Sequence, residues 1–144
     1  MQLPENSGPS SGGKTHALRF VAGRTVLAIL FVFVGISHFL LPASFSRIIP
    51  PILPYPKMLL WVSGIAEMLG GVDLLIPPLR RAAAYGLALL LVAVFPANVY
   101  MATAHVAFPG IMGRAWLQWL RLPLQPLLIW WVLQYSKTRY SRAA

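Results

Sequence analysis

The chain has 144 residues, room for one compact unit and too few for two sizeable ones. Hydrophobic residues make up 58% and charged residues only 10%, against about a quarter charged in a soluble domain, so lipid is the expected main solvent. Twelve Lys and Arg against three acids give a net charge of +9, but the basic residues punctuate apolar runs rather than cluster on a water-facing surface, which argues against nucleic acid as a partner. The absence of cysteine excludes disulfide exchange, Cys zinc sites and iron–sulfur ligation by Cys.

Residues 1–16, "MQLPENSGPSSGGKTH", are polar and rich in Gly, Ser and Pro, and read as a disordered tail. Four apolar runs follow, each near the roughly 20 residues that a spanning helix needs. They cover about 18–41, 57–77, 82–104 and 117–136. The first is too long for the core of a signal peptide and reads as an anchor that stays. The expected fold is therefore all-α: an integral membrane four-helix bundle over 17–136, followed by a basic cytoplasmic tail, 137–144. Pro123 and Pro126 interrupt the fourth run, and each frees a backbone carbonyl that a neighbour or water must satisfy.

Lys14, Arg19, Arg24, Arg80, Arg81, Lys137, Arg139 and Arg142 fall on one side of such a bundle, and Arg47, Lys57, Arg114 and Arg121 on the other. The positive-inside bias then puts both termini in the cytoplasm. Trp116 and Trp119 at one end of the fourth run and Tyr135 at the other fit interfacial anchors. The first outer loop, "PASFSRIIPPILPYPK", holds five prolines and is too broken for a regular helix. It is apolar enough to lie over the bundle, as a connector or as a lid.

Ionisable residues inside a span cost about 2.5–3.5 kcal/mol on insertion scales, so they turn inward and find partners. Glu67 has Ser63, Gly64, Gly70 and Gly71 three and four residues away, and small residues mark the face where another helix comes close. It is either a hydrogen-bonded strut or part of a functional site. His38 with Gly35, Asn98 beside Pro96, and Gln125 with Arg121 one turn earlier all fall in the outer half when helix directions alternate. His38, Glu67, Asn98, Arg121 and Gln125 are therefore the candidates for one shared ligand cavity. Asp73 falls at about the depth of Arg24, and a structural ion pair between them is expected. Haem is disfavoured, with only His38 and His105 as axial candidates. No metal site is expected, because no two good ligands share a helix face.

"FVFVGISHFLLPASFSRIIPP", "SGIAEMLGGVDLLIP", "VFPANVYMA" and "RLPLQPLLIWW", in this order, resemble the DoxX family of small bacterial membrane proteins over about residues 20–136. The resemblance implies a four-helix bundle in the bacterial inner (plasma) membrane and importance for His38, Glu67, Asn98 and Gln125. The family takes its name from subunits of an archaeal thiosulfate:quinone oxidoreductase. Other members are linked to membrane redox complexes, and distant relatives include a chaperone for receptor assembly.

Three functions follow as expectations. The first is a quinone-like-ligand-binding component of a membrane redox system. Having no redox-active residue of its own, the chain would serve as a subunit of a quinone-linked oxidoreductase rather than as a stand-alone catalyst. The second is a non-enzymatic assembly factor or accessory subunit. The third is a small transporter or channel, which four short spans without a repeat disfavour for a monomer, though an oligomer could form a path. The expected partners are the lipid bilayer, a membrane or redox subunit, and other copies of the chain. Whether the chain is catalytic, and on what substrate, is left open by the residues.

Overall fold

Ser11–Leu40 forms one unbroken helix, α1, in the computed structural model, which describes residues 11–107 and 110–137. The helix starts inside the stretch expected to be a tail, because extending an established helix by a few residues is far easier than nucleating one. Residues 1–10 and 138–144, the rest of the expected tail and most of the basic C-terminal segment, lie outside the described residues.

The Pro-rich loop departs from expectation. Pro42–Ser46 forms a short helix, α2, with proline at its start. There the missing N–H would have had no intrahelical acceptor and the fixed φ already suits a helix. The Leu41 carbonyl accepts the Ser44 and Phe45 amides at 3.1 Å each. The chain then reaches Tyr55, held at φ 54, a conformation rare for a bulky residue, and enters α3, Pro56–Asp73. Pro77 and Pro78 confine the next turn before α4, Arg80–Thr103, which runs through Pro96. A 3-10 turn at Gly110–Gly113 precedes α5, Ala115–Gln134, which runs through Pro123 and Pro126 and ends in a second 3-10 turn, Tyr135–Lys137.

The described residues are thus helical throughout, with five α-helices and no strand. Two of these helices contain a segment long and apolar enough to cross a bilayer, Leu18–Leu40 and Arg80–Thr103. α3 carries Lys57, Glu67 and Asp73, and α5 carries Gln118, Arg121 and Gln125.

The long helices pack side by side in chain order, α1 on α3, α3 on α4 and α4 on α5. Successive neighbours run antiparallel. On α1 against α3, Gly35 meets Gly64 and Met68, while Ala28, Phe31 and Val32 meet Gly71. On α4 against α5, Met101 meets Arg121 and Asn98 meets Gln125. The end of α5 returns to the start of α1, where the rings of Phe20 and Tyr135 lie 4.6 Å apart. Tyr135 is only 3% exposed and accepts the Trp131 indole N–H at 3.3 Å. It closes the core formed with Leu27, Phe31, Leu74, Leu87 and Val132 instead of anchoring at an interface. Trp116 and Trp119 do stand exposed.

Candidate functional site: two polar helix contacts

Glycine sets the first contact. A Cβ on Gly35 would stand 2.6 Å from the Gly64 carbonyl oxygen, and one on Gly64 would stand 3.0 Å from the His38 Cβ. Only hydrogen at both positions lets α1 and α3 come this close. One turn along α3 from Gly64, and one turn before Gly71, this close approach buries Glu67.

His38 and Glu67 are 7% and 6% exposed, and His38 Nδ1 lies 3.8 Å from Glu67 Oε2. Ser63 Oγ lies 3.4 Å from the same Nδ1 and donates its own proton to the Leu60 carbonyl at 2.9 Å. With the hydroxyl proton committed, the contact calls for an Nδ1–H on His38, facing both Ser63 and Glu67. Phe45 of α2 closes the other side of the imidazole, with ring centroids 4.4 Å apart in an edge-on arrangement. Glu67 Oε2 is buried without a hydrogen-bond partner. A buried oxygen left this way costs about 1–3 kcal/mol, more for a charged group, and most native structures avoid it.

The second contact, between α4 and α5, is saturated. Asn98 Nδ2 donates to Gln125 Oε1 at 2.8 Å, and Gln125 Nε2 donates to the Leu91 carbonyl. Pro96 cannot donate to the carbonyl of Val92, and the Gln125 amide braces α4 at the neighbouring Leu91 carbonyl. Two further side chains extend this contact along α5. Arg121 places Nη1 3.7 Å from Met101 Sδ, and the buried Gln118 donates to the Val106 carbonyl at 2.9 Å.

The five expected ligand residues are thus distributed over two helix pairs. His38 meets Glu67 between α1 and α3, while Asn98, Gln125 and Arg121 make their contacts between α4 and α5. The expected Arg24–Asp73 ion pair does not form among the described residues, and Arg24 Nε is buried without a hydrogen-bond partner. The glycine register explains this. Gly71 faces Ala28, Phe31 and Val32, so Asp73 ends α3 about a turn short of the level of Arg24.

Ser63, Phe45 and Gln118 complete these contacts without having been singled out as site residues. Gln118 had a signal, because 118, 121 and 125 share one helical face. Phe45 had none, since its position depends on α2. With no third His, Cys, Asp or Glu gathered beside His38 and Glu67 among the described residues, the pair offers hydrogen-bond and proton-transfer chemistry.

Residues 27–136 match the family described as a domain of unknown function, DUF8561, and the chain belongs to that family. The matched segment contains both polar contacts. No curated protein and no solved structure matches the chain.

Proposed function

We propose that this DUF8561 protein is a four-span protein of the bacterial inner membrane, similar to DoxX proteins, whose His38–Glu67 contact binds a quinone-like small molecule for a membrane redox system. All four long helices span in this reading. α3, with 18 residues, is about 27 Å long at 1.5 Å per residue, close to the roughly 30 Å of a bilayer core. Outward-facing Phe33, Leu69, Leu89 and Trp130 are 59–71% exposed, a surface suited to lipid. The basic residues at the α1 start, the α4 start and Lys137 then lie at one end, which places both termini in the cytoplasm.

The observation that carries the ligand reading is the unpartnered Glu67 Oε2 beside His38. A quinone carbonyl accepts a hydrogen bond from an imidazole N–H, and a quinol hydroxyl donates one to a carboxylate. The two side chains therefore suit both redox forms of such a ligand, and Glu67 can exchange its proton. The electrons come from a partner subunit, because this chain has no redox-active side chain. The alternative is an assembly factor that uses its small-residue faces and Pro-rich outer loop for partner contacts; of these, Gly35, Gly64 and Gly71 already face neighbouring helices of the same chain, which leaves the loop to carry it.

The test is extraction of lipophilic compounds from protein purified in mild detergent. The reading expects bound quinone, retained at least tenfold less by Glu67→Gln and by His38→Phe. Protein that holds no quinone and binds none on titration overturns it. Reporter fusions at both termini check the topology independently.

A further inference from the structure

Between α2 and the start of α3 lies a groove of about 240 Å³, lined by Pro42, Ala43, Ser46, Lys57 and Trp61. Its walls are nearly all apolar. Ser46 directs its hydroxyl to the Ala43 carbonyl at 3.2 Å, so it offers the groove little free polarity. Lys57 is the single ionisable side chain in the lining, and Trp61, half exposed, follows it by one turn on the same face of α3. The two acids among the described residues are remote in function from Lys57: Glu67 is buried against His38, and Asp73 ends α3 at the opposite pole. Lys57 forms no ion pair among the described residues.

We propose that this groove binds one anionic phospholipid, with part of an acyl chain against Trp61, Pro42 and Ala43 and the headgroup phosphate at the Lys57 ammonium. An apolar trough with a single uncompensated cation in its lining fits a ligand that is apolar along its length and anionic at its head. Lysine and tryptophan one turn apart are also the pair that sits at the boundary of headgroups and acyl chains. The proposal rests on the membrane reading above and is independent of the quinone reading.

Native mass spectrometry of the full chain, released from mild detergent with equal phosphatidylglycerol and phosphatidylcholine, tests it. Phosphatidylglycerol should be retained about fivefold better, the contribution of one basic residue near an anionic headgroup. Lys57→Gln should remove that preference, and Ala43→Trp, which fills the trough, should reduce retention of both lipids. Arg81→Gln at the opposite pole should leave the preference intact. Glycerophosphoglycerol, the headgroup without chains, should compete poorly; strong competition would make the site one for a free phosphate and overturn the lipid assignment. Equal retention of the two lipids, or an unchanged preference in Lys57→Gln, also overturns it. Should Lys57→Gln fail to fold, Ala43→Trp still tests the groove: unchanged retention of both lipids in that variant overturns the proposal. A chain that does not partition into detergent or vesicles defeats the membrane reading and this proposal together, whereas inserted protein without lipid preference defeats only this one.

Discussion

The α1–α3 and α4–α5 contacts are both antiparallel, and both carry polar side chains toward the same pole of the molecule. They differ in how those side chains are satisfied. Gln125, 3% exposed, uses its amide oxygen on Asn98 and its amide nitrogen on Leu91, so it has reason to stay where it is. Glu67, 6% exposed, keeps an oxygen without a hydrogen bond in a place that only three glycines make accessible to a neighbouring helix. A saturated buried network fixes a packing arrangement, whereas an unsaturated one lowers stability and waits for a partner. By this contrast the α4–α5 contact is structural, and the α1–α3 contact is the one to which the proposed function assigns the ligand.

The largest effect should come from removing the close approach on which the α1–α3 contact depends. Gly35→Leu would drive a side chain into the Gly64 carbonyl and Met68, where even a Cβ stands 2.6 Å from each. Overpacking of this kind costs about 1–3 kcal/mol and more where backbone must move, so the expected outcome is a large fall in melting temperature or loss of folded protein. Gly86→Leu is the control. A Cβ there meets nothing within 4 Å, and the exchange removes a helix-weakening glycine, so stability should hold or rise. Tryptophan-fluorescence melting in detergent reads both variants. Equal losses at Gly35 and Gly86 would mean that the α1–α3 register is not set by glycine.

Next in size is the contrast between the two buried polar residues themselves. Gln125→Leu strands the Asn98 amide and removes the brace on α4, at an expected cost of about 1–2 kcal/mol. Glu67→Gln keeps the shape and changes only the chemistry of an oxygen that has no hydrogen bond to lose. It should stay within about 1 kcal/mol of the parent while ligand retention collapses. Comparable destabilisation by both variants, with ligand binding intact, would make Glu67 a strut and dissolve the distinction between the contacts.

Much of this contrast is legible in the sequence, and the part that is not has a physical cause. The four apolar runs and the prolines between them foreshadow α1, α3, α4 and α5 closely, because apolar length and helix-stopping residues act locally. The small residues around Glu67 correctly imply a close helix neighbour. Which polar residue meets which depends on helix rotation and register, which no single segment encodes. His38 therefore pairs with Glu67 and Asn98 with Gln125, where five groups were expected around one cavity. The Arg24–Asp73 pair fails for the same reason: depth counted from run ends ignores the shift that Gly71 imposes by docking at Ala28 and Phe31. Tyr135 reads as an anchor from its place at the end of a run, yet the return of α5 onto Phe20 buries it. In α2 the signal was present, a proline in the first helical position, but the prolines beyond it masked it.

The smallest expected effect on stability comes from Phe45→Ala, and it sharpens the comparison from the side of access. The edge-on contact with His38 is worth about 0.5–1.5 kcal/mol beyond buried area, so the melting temperature should fall by no more than a few degrees. The change in exposure should be much larger than the change in stability. α2 has no fully buried residue, touches both α1 and α3, and places Phe45 as its contact with the imidazole. Without that ring His38 opens toward the end of the bundle where α2 lies. Modification of His38 by diethyl pyrocarbonate, followed by peptide mass spectrometry to separate it from His105, should accelerate several-fold, while His105, already exposed in the turn after α4, should react at an unchanged rate. Asn98 and Gln125 have no such cover to remove, since their own hydrogen bonds close the α4–α5 contact from within. An unchanged His38 rate would mean that α2 is a connector that happens to touch the site. Acceleration confined to His38 would make α2 the element that decides when the unsatisfied contact meets its ligand.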